Sequence, residues 1–201
     1  MIREHIFPAA RATLVTLVLT GAAYPVLCTG LAAVLFPHRA AGSFVPDESG
    51  RIVGSELIAQ PFASAAYFQP RPSAAGDKGW DASNSSGSNL GPTSKKLRER
   101  VQADVARLKA ENPGAVGDVP AELVTTSGSG LDPHLSPAAV RWQIARVAQA
   151  RQVAPERIAR LVDDQIEGRD LGFLGEPRAN VLLLNLALDR LLGKPAAAPA
   201  R

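Results

Sequence analysis

The chain has 201 residues, of which 46% are hydrophobic, and this fits one globular domain of ordinary size together with one further segment. Lysine and arginine total 22 against 19 acidic residues, so the chain is close to neutral, and no basic stripe indicates a nucleic-acid partner. Its one cysteine, Cys28, excludes an intrachain disulfide and a cysteine metal cluster.

The segment 12–36 contains no Asp, Glu, Lys, Arg or His. About 20 helical residues, rising about 1.5 Å each, cross a hydrocarbon core of about 30 Å, so this segment is long enough to span a membrane. Transmembrane helices tolerate proline, and Pro25 predicts a kink. The alternative is a cleaved signal peptide, with 12–20 as its apolar core and 21–23 as the cleavage site. The apolar run continues to Phe36, which favours retention as an anchor.

The charges around this segment give little information about its orientation. Arg3 and Arg11 precede it, while Arg39 and Arg51 follow it, and the free amino terminus favours a cytoplasmic N-terminus. We therefore expect a cytoplasmic N-terminus at 1–11, a transmembrane helix at 12–36, an extracytoplasmic globular domain at 37–193 and a disordered tail at 194–201.

The first half of the globular part combines a strand, a long loop and a helix. Residues 51–58 are typical of a strand or a short turn-strand unit. Residues 69–93 are crowded with Pro, Gly, Ser and Asn, which predicts a long loop. Loops this long are usually functional or disordered, so this loop is a candidate contact surface, and the alternative is a solvated surface loop without a partner. Apolar residues at helical spacing predict an amphipathic helix over 94–111. A buried strand at 122–126 and a turn at 127–133 follow.

Three more helices are predicted, each opened by a proline suited to the first helical position: 136–151, 154–167 and 176–192. The expected fold class is α+β, with a single N-terminal transmembrane helix followed by one helix-rich globular domain with a small sheet. The predicted core-facing residues are Ile144, Val147, Ile158, Leu161, Val162, Val181, Leu184, Leu188 and Leu191.

Two kinds of chemistry are weighed against the residues of the 127–134 turn. Ser127 or Ser129 with Asp132 and His134 offers the residue types of a serine hydrolase, but the strand-turn-helix order of a nucleophile elbow is missing. Asp132 and His134 could contribute to a metal site, yet both other histidines flank the apolar segment. We expect His134 to be a hydrogen-bonded structural residue.

Several short motifs, in order along most of the chain, resemble the KdpC family, the C subunits of Kdp potassium-transporting ATPases. They are GSELIAQ at 54–60 with Phe62, Tyr67-Phe68, 71–74, SGSNLGP at 86–92, VTTSGSGLDPH at 124–134, Ser136-Pro137, RVAQAR at 146–151, LGEPR at 174–178 with Asn180, and 184–189.

The resemblance implies a single-pass, non-catalytic subunit in a bacterial inner membrane. Its implied partners are a potassium-channel-like subunit, a P-type ATP-hydrolysing subunit and a small membrane peptide. The family is described as a catalytic chaperone that raises the ATP affinity of the hydrolysing subunit, with a proposed nucleotide contact that corresponds here to Gln143. The structural alternative for Gln143 is a solvent-facing helix residue.

An extracytoplasmic domain could not touch cytosolic ATP. We therefore also expect the alternative role of an adaptor that stabilises the outer mouth of a channel-like partner without touching nucleotide. Residues 69–93 and 127–134 are the predicted contact surfaces for that role.

Overall fold

The computed structural model describes residues 2–195, with side chains from Glu4 onward, and the chain divides into two units, residues 1–44 and 45–201. The first unit is helical, and its elements are α1 (Ile2–Val18), a π-helical turn (Leu19–Ala23), α2 (Tyr24–Leu35) and α3 (Pro37–Ala40). Most of the predicted tail, 194–201, lies outside the described residues.

The π-helical turn comes directly before Pro25. At its end the backbone N–H of Tyr24 donates to the carbonyl of Leu19, five residues back. Proline has no N–H to donate and its ring crowds the preceding turn, so a wider turn at this point relieves both problems. The kink that the sequence predicts at Pro25 would fall at this turn.

The stretch Glu4–Leu35 is long and apolar enough to cross a membrane, and it is the one helix among the described residues that meets this criterion. This agrees with the predicted span, although an N-terminal signal sequence meets the same criterion. The choice between anchor and signal peptide stays a prediction.

As far as residue 195, where the described part ends, the second unit combines two small sheets with five helices, which confirms the predicted α+β class. Strand β1 (Phe44–Pro46) pairs with β2 (Ile52–Ser55), and β3 (His134–Leu135) runs antiparallel to β4 (Ala179–Asn180). The helices are α4 (Lys95–Glu111), α5 (Pro137–Trp142), α6 (Ile144–Arg151), α7 (Pro155–Asp164) and α8 (Val181–Leu192).

The core lies where α5, α6, α7 and α8 pack together. Each helix presents one apolar face to it, because apolar residues recur every three or four positions. The buried members of the predicted set are Val147, Ile158, Val162, Val181, Leu184 and Leu188, and Ile144 and Leu161 are partly buried. The prediction for Leu191 is wrong, since this side chain is 45% exposed in the last turn of α8.

The predicted helix 136–151 is two helices, α5 and α6, which meet at Gln143. The backbone N–H of Gln143 donates to the carbonyl of Val140, three residues back, at 3.0 Å. This tighter turn replaces the usual bond to the fourth residue and separates the two helices. The predicted helix 154–167 ends early, at Asp164.

The helix predicted from 176 begins only at Val181. Asn180 caps it by accepting the backbone N–H of Leu183 at 3.2 Å. Residues before Asn180 cannot extend the helix, because the backbone of Arg178 exchanges two hydrogen bonds with Glu167, at 2.8 and 3.0 Å. Pro177 is therefore not the first helical residue.

The predicted strand at 122–126 is also wrong. The chain forms a short 3-10 turn at Ala121–Leu123 and then continues without regular structure. No described strand pairs with it. Instead, the guanidinium of Arg71 donates to the carbonyls of Thr125 and Thr126, at 3.4 Å each. β-Branched residues thus predict a strand incorrectly here, because a side chain and not a neighbouring strand provides the hydrogen bonds to the backbone carbonyls.

Residues 65–69, which we call the strap, cross the core without helix or strand. Phe68 within the strap is fully buried, and its N–H and C=O both bond to the buried side chain of Asn185, at 2.8 and 3.0 Å. Arg146 donates to the carbonyls of Ala65 and Tyr67, at 2.6 and 3.1 Å. Side chains thus satisfy the buried backbone groups that a sheet would otherwise pair.

A second arginine closes the far side of the strap. Arg151 donates to the carbonyl of Ala66 and to the carboxylate of Asp189, both at 2.8 Å, and its guanidinium lies 5.0 Å from the ring centre of Tyr67. Burial, together with the hydrogen bond from the Tyr67 hydroxyl to Asp189, raises the pKa of Tyr67 to about 12. Tyr67 therefore stays neutral and acts as a hydrogen-bond donor at physiological pH.

Candidate functional site

The two segments that the sequence nominates as contact surfaces lie against each other. The hydroxyl of Ser73 donates to the carbonyl of Gly130 at 2.6 Å, and that of Ser85 donates to the carbonyl of Ser129 at 3.0 Å. Residues 69–93 and 127–134 thus form one continuous surface, which we call the loop surface.

Gly130 is the closest joint within the loop surface. Its φ is +68°, in the left-handed region, and a Cβ placed on it would lie 2.5 Å from the carbonyl oxygen of Ser86 and 2.8 Å from the backbone nitrogen of Ala75. Both neighbours are backbone atoms that cannot rotate away. Glycine is therefore the residue that allows the two loops to meet at this distance.

A charged pair also links the two loops. The guanidinium of Arg71 contacts the carboxylate of Asp132 at 3.1 Å, with both side chains about a quarter to a third exposed. Asp132 also accepts the backbone N–H of His134 at 3.0 Å. Hydrogen bonding from the His134 side chain, assisted by this N–H and by Arg71, lowers the pKa of Asp132. The ionised form of Asp132 is thus the form that holds the loop surface together.

We expect the loop surface to lose stability in acid through Asp132. A carboxyl whose folded pKa is depressed stabilises the fold above its ordinary pKa of about 4, and this contribution disappears as the pH falls through the folded pKa. The melting temperature of the full-length Asp132→Asn protein should be lower than wild type at pH 7 and should fall less steeply below pH 5. Thermal melting of both proteins across this pH range measures the difference.

Asp118→Asn is the matched control, because the side chain of Asp118 is fully exposed and its contact with Lys109 is 3.9 Å long. This variant should follow the wild-type profile. Parallel profiles for wild type and Asp132→Asn would show that the ionised carboxylate of Asp132 does not stabilise the loop surface.

The exposed part of the loop surface is small and polar. Residues 81–85 are exposed throughout, and the loop between 83 and 91 supplies serine hydroxyls, asparagine amides and glycine backbone. Such groups hydrogen-bond adaptably and lose little side-chain entropy on binding. The surface suits contact with another protein better than the binding of a compact charged ligand.

The structure does not assemble a serine hydrolase from this turn. The hydroxyl of Ser127 accepts the backbone N–H of Gly130 at 2.9 Å, and that of Ser129 accepts the N–H of Leu131 at 3.1 Å. Neither hydroxyl bonds to His134 in the described part of the chain. Both serines act as turn formers within the loop surface.

No group of three or more His, Cys, Asp or Glu side chains that could hold a metal ion occurs within residues 2–195. His134 lies in β3 with its Nδ1 3.6 Å from the carboxylate of Asp132. This position agrees with the expected role of His134 as a structural residue near a helix start.

Gln143 is buried, so the solvent-facing alternative for this residue is wrong: its exposure is 2%. Its Oε1 accepts the N–H of Gln69 at 2.9 Å and a guanidinium N–H of Arg146 at 2.7 Å. Its Nε2 donates to the carbonyls of Gln69 and Ala139, at 3.1 and 3.4 Å. The amide thus uses its full hydrogen-bonding capacity on the protein, chiefly to hold the strap.

Gln143 and Arg146 form part of the wall of a cleft of about 1130 Å³. Arg107 also lines this cleft and binds the carboxylates of Asp104 and Glu111, at 3.0 and 3.2 Å. The two cations and two anions balance, so the cleft carries no excess positive charge for a triphosphate. These residues do not fit a nucleotide at Gln143 without loss of a buried hydrogen bond, and ATP binding there stays a prediction.

The side chains that hold the strap were missed as a group by the sequence reasoning. The motifs 146–151 and 184–189 contain these residues, Arg146, Arg151 and Asn185, but their helical spacing did not indicate that they form a site. A detectable signal was the polar Asn185 within the otherwise apolar run of α8, since a polar residue on a core-facing stripe implies a buried partner.

Comparison with known proteins gives one consistent result. The family model described as KdpC, K+-transporting ATPase, c chain, matches residues 6–190. A protein of Myxococcus xanthus named potassium-transporting ATPase KdpC subunit is 64% identical over 192 residues, which are 95% of this chain and 90% of the relative. Proteins with the same name from Methylobacterium nodulans and Rhodospirillum rubrum are 52% and 57% identical, covering 95% and 85% of this chain and 99% and 88% of the relatives.

Proposed function

The chain belongs to the KdpC family of potassium-transporting ATPase subunits, and from this premise we propose that it is a non-catalytic accessory subunit that assists assembly of an ATP-driven potassium uptake complex. Its loop surface contacts a potassium-channel-like subunit. The observation that carries this proposal is the joining of 69–93 and 127–134, two long polar loops, into one braced surface.

The lack of two catalytic motifs in the sequence supports a non-catalytic role. The chain has no Gly-x-x-x-x-Gly-Lys-Ser/Thr loop to cradle phosphates and no Asp-Lys-Thr-Gly run to supply a phosphorylatable aspartate. One spanning helix cannot enclose an ion pathway. ATP hydrolysis and ion conduction therefore belong to the partners, which we propose to be a P-type ATP-hydrolysing subunit, the channel-like subunit and a small membrane peptide.

We place the protein in the bacterial inner membrane as a single-pass subunit. Residues 1–11 lie in the cytoplasm, 12–36 cross the membrane and 37–193 form the outer domain. The support is the helix Glu4–Leu35, which is long and apolar enough to span, together with the weak bias of the flanking charges. The loop surface then faces the outer mouth of the channel-like subunit.

A second candidate function is to raise the ATP affinity of the hydrolysing subunit. The cleft beside Gln143 is large enough for an organic ligand, which favours a bound nucleotide, while its balanced charge and the four bonds of Gln143 disfavour one. In an outer domain this effect would travel through the assembled complex. The two candidates differ in what removal of the subunit does to the ATP dependence.

We expect removal of this subunit from the purified complex to cause dissociation and loss of potassium uptake, with the ATP concentration for half-maximal ATPase rate unchanged in what remains. The measurement is potassium-stimulated ATPase activity against ATP concentration, with and without the subunit, at saturating potassium. An intact complex whose half-maximal ATP concentration rises severalfold would support the ATP-affinity role instead.

A further inference from the structure

The segment between α7 and β4 forms a braced hairpin, residues 167–178. Glu167 and Arg178 pair through two backbone bonds, and Asp170 and Leu174 pair through two more, both at 2.9 Å. Salt bridges reinforce this stem: Arg178 with Glu167 at 3.1 Å and Arg169 with Glu176 at 2.7 Å. The hairpin is therefore a defined ribbon and not a slack loop.

The tip of this hairpin is apolar and exposed. Leu171 is 83% exposed, Phe173 68% and Leu174 48%. The other large exposed apolar side chains of the second unit, within the described residues, stand singly along the chain: Ile52, Leu57, Val116 and Leu191. Three such residues within four positions, on a braced support, mark an interaction site more strongly than scattered ones do.

The backbone at the tip is unfavourable for the residue it carries. Leu171 has φ +54°, in the left-handed region that glycine and asparagine adopt more readily than leucine. Folding alone would favour a glycine or a polar residue here, because leucine is strained and gains no burial. The backbone strain and the exposed apolar surface of Leu171 are both explained if this side chain is buried against another molecule.

The charges around the tip indicate what that partner is. Glu167, Arg169, Asp170, Glu176 and Arg178 carry three negative and two positive charges, and both arginines are held in salt bridges. A hairpin that inserts into an anionic lipid surface would be flanked by free cations. An apolar tip surrounded by paired charges instead resembles a protein interface, in which a buried anchor is ringed by polar groups.

We infer that the hairpin 167–178 docks its tip, Leu171 and Phe173, into an apolar pocket on another subunit of the pump complex. This inference rests on the proposed function, since it requires the chain to work as an assembled subunit. It adds an anchoring contact that is separate in sequence from the loop surface. The loop surface supplies adaptable polar contacts and the hairpin supplies the apolar anchor.

Photo-crosslinking in the intact complex tests this inference. With p-benzoylphenylalanine at position 173 of the full chain, irradiation should join this subunit to another subunit. The same probe at Val116, which is 93% exposed in a different turn, should not do so. Crosslinks to lipid alone, or to a second copy of this chain, would overturn the inference.

Co-purification provides an independent test. In detergent, the amount of partner subunit recovered with the Leu171→Asn/Phe173→Ser double variant should be about tenfold lower than with wild type. The reason is that a few buried anchor residues carry most of the binding energy of an interface. Asparagine tolerates the left-handed backbone and both sites are exposed, so the variant should melt like wild type. Val116→Ser is the matched control and should retain partners fully.

The two proposals fail in different ways. Partner retention by the double variant at the wild-type level would refute the hairpin inference and leave the proposed function intact. Failure of the wild-type chain itself to co-purify with partners would refute the proposed function.

Discussion

Gly130→Ala should separate the two loops of the loop surface and abolish assembly of the pump complex. The added Cβ would overlap the carbonyl oxygen of Ser86 and the backbone nitrogen of Ala75, and alanine at φ +68° carries a further penalty of about 1 to 2 kcal/mol. Together with the overlap we expect a loss of about 3 kcal/mol in the free energy of unfolding. For a domain of this size the melting temperature should fall by about 6 to 12 °C.

The neighbouring glycine supplies a stringent control. A Cβ on Gly128 would meet no atom within 4 Å, and its backbone is not left-handed. Gly128→Ala changes the same residue type in the same turn and should leave melting, assembly and potassium uptake unchanged. Tryptophan fluorescence follows melting, since Trp80 and Trp142 lie in this unit.

The measurement must distinguish a loss of folding from a loss of contact with the partner subunits. Below the melting temperature of the variant, recovery of partner subunits with the Gly130→Ala chain should still be low, because the loops no longer present one surface. Wild-type recovery of partners at that temperature would show that the joint between the loops stabilises the domain without serving assembly.

The helices were predictable because their signals are local. The amphipathic pattern and the terminal caps of α4 lie within one segment, and the predicted 94–111 differs from Lys95–Glu111 by a single residue. The core positions on α7 and α8, with the exception of Leu191, followed from the same periodicity. Such patterns need no knowledge of the rest of the chain.

The failures have a shared physical cause, which is pairing between distant residues. Whether 122–126 becomes a strand depends on a partner strand, and there the chain offers the side chain of Arg71 instead. Likewise, the start of α8 was predicted too early, because the backbone of Arg178 is hydrogen-bonded to that of Glu167, eleven positions earlier. Local propensity cannot register either event.

The candidate site was predictable in parts but not as a whole. Composition identified 69–93 and 127–134 as loops, while their contact arises from serine hydroxyls that bond to carbonyls 44 and 57 positions away, Ser85 to Ser129 and Ser73 to Gly130. The burial of Gln143 could not be inferred from helical spacing, because the helix breaks at that residue to let its amide reach the strap.

Arg146→Ala should cost the domain about 3 to 5 kcal/mol, the largest stability effect that we expect from a single side chain. Arg146 is 9% exposed, and its loss leaves the carbonyls of Ala65 and Tyr67 and the Oε1 of Gln143 without this donor. Buried acceptors left unsatisfied each cost about 1 to 3 kcal/mol, and the cost is smaller for the carbonyl of Ala65, an exposed residue that water can reach. The melting temperature should fall by about 10 °C.

Two further variants isolate the cause. Arg146→Lys keeps the charge, but one ammonium cannot reproduce the fork that reaches three acceptors, so it should recover only part of the loss. Arg141→Ala removes a guanidinium in the preceding helix, α5, that pairs with Asp163 at 2.8 Å, with both side chains more than half exposed. This surface pair should contribute less than about 1 kcal/mol.

The result for Arg146 bears on function through Gln143. In Arg146→Ala the amide of Gln143 loses one of its four hydrogen bonds, and the cleft beside it changes shape as the strap loosens. The loop surface keeps its own contacts, because Gly130 and Asp132 brace it. An assembly role predicts that complexes recovered below the melting temperature still take up potassium. A role in ATP affinity through this cleft predicts instead that their half-maximal ATP concentration rises. A single titration of ATPase rate against ATP on the Arg146→Ala complex therefore separates the two functions without deletion of the subunit.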